Sequence, residues 1–119
     1  MPGFMGLTAV TQEQRERAEH ELNLCFSNEF SDYVETFGVA TVHGHEFTGV
    51  CPSPQLNVVH VTRDEWEQNP EVPKDWYVVE QAHIDGIVIW QNQRGEVFQT
   101  MPGAKPVKLC DSLCEYLDL

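Results

Sequence analysis

Apolar positions along the chain change their spacing twice. From residue 11 to residue 37 they recur every three or four positions, from residue 39 to residue 110 they mostly alternate, and after Ser112 the helical spacing returns. Thr11-Gln12-Glu13-Gln14 fits a capping box, and Ala18, Leu22 and Cys25 follow at helical spacing, so a polar first helix is predicted over roughly residues 12–23. Ser27 can cap a second helix in which Phe30, Tyr33, Val34 and Phe37 form a wide apolar face that should cover a sheet, and Gly38 ends it. Val39 to Val42 and Phe47 to Val50 then flank His43-Gly44-His45-Glu46, which reads as a hairpin turn.

Cys51-Pro52-Ser53-Pro54 reads as a loop, because two prolines in three residues remove backbone donors and resist the helical basin. Asn57 to Val61 is predicted as a short strand, and Thr62-Arg63-Asp64-Glu65 as a second capping box opening a helix of one or two turns around Trp66, ended by Pro70. Trp76 to Glu80, Ile84 to Trp90 and Val97 to Thr100 are predicted strands of a meander, with Gly95 supplying the positive φ of the last turn. Val107 to Cys110 adds a strand, and Ser112-Leu113-Cys114-Glu115 caps a terminal helix with Leu113, Tyr116 and Leu117 facing inward. Segregated elements of this kind predict an α+β fold. It would be a single domain over residues 1–119, with two N-terminal helices, a mostly antiparallel sheet of about five to six strands and a C-terminal helix.

Composition narrows the function classes. A chain of 119 residues with 41% hydrophobic positions holds one real core but not two. No apolar run reaches membrane-spanning length, and the start MPGFMGLTAV lacks the basic and apolar regions of a signal peptide, so a cytoplasmic location is expected. Cys25, Cys51, Cys110 and Cys114 form no C-x-x-C pair and are expected to be reduced and mostly buried. Charge is the strongest signal: 19 acidic against 7 basic residues give a net charge of −12. Such a field repels nucleic acid and anionic membrane and attracts cationic partners. Nothing in the pattern specifies an oligomeric state.

Candidate chemistry is sparse. His43 and His45 would share an ion only on a continuous strand, whereas Gly44 favours a tight turn that splays the rings toward solvent. A zinc site on Cys110 and Cys114 needs both on one helical face, and Cys110 precedes the cap. Cys51 has Pro52 beside it and no helix N-terminus to lower its pKa. The glycines at 44, 49, 86 and 95 stand singly, so no phosphate-cradling loop is present and no cofactor is expected. A recognition surface is the better candidate. In RDEWEQNPEVPKDW, residues 63–76, Asp64, Glu65, Glu67, Glu71 and Asp75 surround Trp66, a candidate anchor, and Trp76, a candidate core residue.

Motif order adds a resemblance. An N-terminal helix pair ending at Gly38, Glu46 followed by Gly49, then PKDWYVVEQAHIDGIVIW with Trp76, Asp85 and Gly86, RGEVF at residues 94–98, and DSLCEYL at residues 111–117 together resemble the SUKH superfamily. Its members include bacterial immunity proteins and relatives of yeast cell-wall regulators. Two positions depart from the pattern: Cys25-Phe26-Ser27 replaces the usual Leu-Pro, and Gly38-Val39 replaces Gly-Gly. The resemblance implies a single α+β domain that neutralises a cognate toxin, often a basic nuclease, by stoichiometric binding and not by catalysis. Under it Asp64, Glu65, Glu67, Glu71 and Asp75, with Glu46 and Asp85 at turns, steer and dock the partner, and Trp66 anchors it. A regulatory module of the same fold with an endogenous partner is the alternative, and a small metalloenzyme at His43 and His45 a weaker one.

Overall fold

The computed structural model describes the backbone of residues 4–6, 10–42 and 44–118, with side chains for residues 10–42 and 44–118. Helix α1 (Gln12–Leu22) starts as its capping box requires: Thr11 Oγ1 accepts from the Gln14 amide at 3.1 Å, and the Gln14 side chain accepts from the Thr11 amide at 2.9 Å. Asn23, at φ 56°, ends it. Helix α2 (Asn28–Phe37) is capped by Ser27 and ended by Gly38 at φ 73°, a left-handed conformation that favours glycine. Its Phe30 and Val34 are fully buried, each worth on the order of 1.5–3 kcal/mol.

The strands run in chain order. Strand β1 (Phe4–Gly6), which the apolar pattern did not predict, pairs antiparallel with β2 (Ala40–Val42), and β2 with β3 (His45–Glu46). The four-stranded sheet β4 (Tyr77–Gln81), β5 (Val88–Gln91), β6 (Val97–Thr100) and β7 (Val107–Cys110) is antiparallel throughout. The two sheets meet along β3 and β4: Phe47 bridges Glu80, and the Thr48 amide donates to the Val79 carbonyl at 2.9 Å. Helix α4 (Leu113–Leu117), capped by Ser112, closes the chain.

Alternation on β4 and β5 explains why both faces of this sheet are apolar. Tyr77, Val79 and Ile89 join Phe26, Phe30, Val34 and Leu113 under the helices, whereas Val78, Val88 and Trp90 pack with Val61, Val72 and Trp76 on the other face. Trp76, predicted as core, stacks on Phe98 with ring centroids 3.9 Å apart.

Three predicted elements differ. Asn57 to Val61 is not a strand: helix α3 (Val58–Gln68) starts there, capped by Asn57, whose Oδ1 accepts from the Val59 amide at 2.9 Å. Thr62 is therefore interior to α3, and its Oγ1 accepts from the buried Val78 amide at 3.0 Å. Val58 and Val59 face one core and Val61 the other, so burial at this sheet edge overrides the β preference of a valine-rich run. Residues 84–87 are a turn, not the start of β5, because His83 (φ 58°) and Asp85 (φ 55°) are left-handed. The 43–46 turn is tighter than predicted: His45 pairs with Val42 and Glu46 with Thr41, so β3 is His45–Glu46 and the predicted strand over residues 47–50 is replaced by isolated bridges at Phe47 and Gly49, which face Glu80 and Asn57; His43 lies outside the described residues. All four cysteines are free as expected, but Cys25 and Cys114 are exposed and Cys51 and Cys110 half-buried, so they are not mostly core residues.

Candidate functional site

Three of the predicted carboxylates converge. His60 and Asp64, one turn apart on α3, line an open cleft of about 530 Å³ with Glu46 of β3, Leu56, Gln81 and His83. Glu65 and Gln68, further along the same helix, line a second cleft of about 340 Å³ with Ile87 and Pro102. Gln81 and His83 line both, so one groove runs between α3 and the β4–β5 turn. Both volumes are in the range of ligand clefts.

The groove is acidic, and among the described residues no lysine or arginine lines either cleft. Glu65 is fixed by neutral donors, accepting from Gln81 Nε2 at 2.6 Å and Asn69 Nδ2 at 3.3 Å, so its carboxylate is held in one orientation. Arg63, adjacent in sequence to Asp64, turns away and donates to the Glu21 carbonyl at 2.9 Å. Among the described residues, the lysine and arginine ion pairs fall elsewhere: Arg15 with Glu19 and Glu35, Arg17 with Glu13, and Arg94 and Lys108 around Glu96 and Asp111.

The other predicted site residues are placed differently. Asp85 is exposed on the β4–β5 turn next to Gly86, which lines the groove. Glu67, Glu71 and Asp75 are exposed but line neither cleft. Trp66, the candidate anchor, is half-buried, with the covered part of its ring turned inward. It packs against both cores, its Nε1 donates to the Trp76 carbonyl at 3.1 Å, and Lys74 lies over its ring. Sequence reasoning missed His60, Gln81 and His83; the i, i+4 spacing of His60 and Asp64 would have signalled a shared face had residues 57–61 been read as helix.

A second titratable cluster lies where β3, β4 and α4 meet. The buried Glu80 carboxylate accepts from the Tyr116 hydroxyl and contacts His45 Nδ1 at 3.0 Å. Burial, then the Glu80 carboxylate beside it, pushes the Tyr116 hydroxyl far above the usual tyrosine range. Glu29 similarly holds α4, accepting from the Leu113 and Cys114 amides at 2.6 and 3.1 Å. Both carboxylates thus tie the terminal helix to the body of the domain. Burial also raises the Cys51 thiol, the opposite of nucleophile activation. Among the described residues no three His, Cys, Asp or Glu side chains are grouped to hold a metal ion, and no helix is long and apolar enough to cross a membrane.

Fold and site together define a small α+β domain with a negatively charged groove beside its central meander. A family model described as SUKH_5, SMI1-KNR4 cell-wall, matches residues 1–116, and the chain belongs to this family. No curated protein matches it.

Proposed function

We propose that the chain is a cytoplasmic bacterial immunity protein that neutralises a cognate toxin, a basic nuclease, by stoichiometric binding. The observation that carries this reading is the uncompensated charge of Glu46, Asp64 and Glu65 around one groove in a chain of net charge −12. An enzyme acting on nucleic acid must hold phosphates and so presents a cationic surface, and an acidic domain competes for that surface while accelerating encounter. Membership of the SUKH_5 family supports the same reading.

Purification from the native host, with identification of whatever is recovered at a one-to-one ratio, tests it directly. A basic toxin whose growth inhibition is relieved by co-expression of this chain is the expected result. Glu46→Lys with Asp64→Lys should then slow association about tenfold or more at low salt and flatten its salt dependence. Recovery of an acidic partner, or relief of toxicity without complex formation, overturns the reading. The family description names the cell wall, which favours a second reading: a regulatory module whose groove holds an endogenous partner. A single partner with no toxic activity of its own would select that one.

A further inference from the structure

The groove does not end in charge. Ile84 is 61% exposed, the most exposed of the large aliphatic side chains among the described residues, and it stands on the β4–β5 turn that forms the groove's rim. Met101, also exposed, precedes Pro102 on the neighbouring β6–β7 turn. The two turns approach closely, since a Cβ at Gly86 would lie 2.7 Å from Pro102 Cγ. The β4–β5 turn is itself held in one shape, with the Ile87 amide donating to the Ile84 carbonyl at 3.0 Å and the Ala82 amide to the Ile87 carbonyl at 3.1 Å. His83 and Asp85 adopt left-handed backbone on either side of the isoleucine, a conformation that non-glycine residues hold only when their surroundings fix it. An isoleucine is thereby presented to water on a hydrogen-bonded turn between a histidine and a carboxylate.

We propose that this groove and its isoleucine rim form one docking surface for a segment of a partner protein that carries lysine or arginine on both sides of an aliphatic residue. The proposal rests on the reading of the chain as a binder of basic proteins and specifies what part of the partner is read. Basic side chains enter the groove toward Glu46, Asp64 and Glu65, and the aliphatic side chain covers Ile84. Charge complementarity selects this occupant. A second copy of the chain, at net charge −12, and a nucleic acid are both repelled. A small polycation satisfies the carboxylates but leaves Ile84 wet.

Two capped peptides test the surface without knowledge of the partner: acetyl-KRLKR-amide, and acetyl-KRGKR-amide, which lacks the aliphatic residue. Each is titrated into the 15N-labelled full chain at about 50 mM NaCl, where surface electrostatics are only partly screened. The expected result is amide shifts confined to residues 45–47, 60–68, 81–88 and 101–104, with the leucine peptide bound about fivefold tighter, the ratio that partial burial of one aliphatic side chain supplies. Ile84→Ala, at an exposed position and checked by an unchanged Tm, should abolish that preference; Asp64→Asn should weaken both peptides about equally. Shifts spread equally over Glu13, Glu16 and Glu21 of α1, equal affinity for the two peptides, or spermidine reproducing the leucine peptide's shifts at equal affinity would each overturn the proposal. A co-purified toxin that binds Ile84→Ala and Asp64→Asn with full affinity would overturn the groove while leaving the immunity reading intact. Localised, leucine-dependent peptide binding in a chain that recovers no toxin would support the groove while removing that reading.

Discussion

Tyr77 carries its polar atom into the apolar layer between α2 and the sheet, and that atom is fully used. Its hydroxyl accepts from the Ser27 amide at 2.9 Å and donates to Gln91 Oε1 at 2.8 Å, while Gln91 Nε2 reaches Glu29 Oε1 and the Gly95 carbonyl, each at 3.0 Å. Burial holds this phenol protonated well above the usual tyrosine range, so it remains a donor at every working pH. Tyr77→Phe keeps the ring and strands the buried Ser27 amide; a loss of about 1–3 kcal/mol is expected from the urea midpoint at unchanged m-value. An unchanged midpoint would mean that water replaces the hydroxyl. Glu96 is the opposite case, a carboxylate at the surface. Asn92 first, then Lys108 and Arg94, donate to it and lower its pKa to about 2. Because the folded value lies below the unfolded one, its contribution to stability is present above the ordinary carboxylate range and is lost as pH falls toward 2. Carbon-detected NMR should place the Glu96 midpoint near 2, and Asn92→Ala should raise it. A wild-type midpoint in the ordinary glutamate range would refute the contacts.

Helix α3 is the element on which both the fold and the groove depend, and its start is set by one side chain. Asn57 Oδ1 accepts from the first free amides of α3 and its Nδ2 donates to the Cys51 carbonyl at 2.8 Å, beside the bridge that joins Asn57 to Gly49. Gly49 admits no larger residue there, since a Cβ would lie 1.9 Å from the Gly38 carbonyl oxygen. Asn57→Ala should cost about 1–2 kcal/mol by denaturant melts and speed hydrogen exchange of the Val59 and His60 amides, whereas Asn57→Asp should retain the cap. Equal exchange in both variants would assign the start of α3 to burial of Val58 alone. The same helix marks how far the sequence could be read. Elements α1, α2, β6, β7 and α4 were legible because cap, period and terminator all lie within the segment itself. The valine-rich start of α3 was not, because its helical state is decided by two cores supplied by distant strands. Glu46, Asp64 and Glu65 were legible as acidic, but their convergence requires β3 to meet β4 through Phe47 and Glu80. Glu80 itself, buried at a register shift in β4, gave no local sign of its partners Tyr116 and His45.

For the whole molecule, charge and size act together. The domain measures 37 × 32 × 25 Å and carries a net charge of −12. At 0.01 M salt the Debye length is about 30 Å, so every carboxylate feels nearly every other across the fold; at 0.15 M it is about 8 Å and the repulsion is confined to neighbours. Two opposing effects are screened together. Surface ion pairs such as Lys108 with Asp111 weaken with salt, but exposed pairs contribute little to stability. The repulsion among carboxylates such as Glu46, Asp64, Glu67 and Asp85 is long-ranged and one-signed, so it should dominate. The Tm should therefore rise by about 3–8 °C between 0.01 and 0.15 M NaCl, equivalent to about 1 kcal/mol in a domain of this size. Neutralising the groove with Glu46→Gln and Asp64→Asn should raise the low-salt Tm and shrink that increment. The charges that favour a cationic partner would then be charges the free fold bears at a cost, relieved when that partner binds. A Tm that falls with added salt would instead mean that the ion pairs outweigh the repulsion, and would remove electrostatic self-repulsion as the reason to bind.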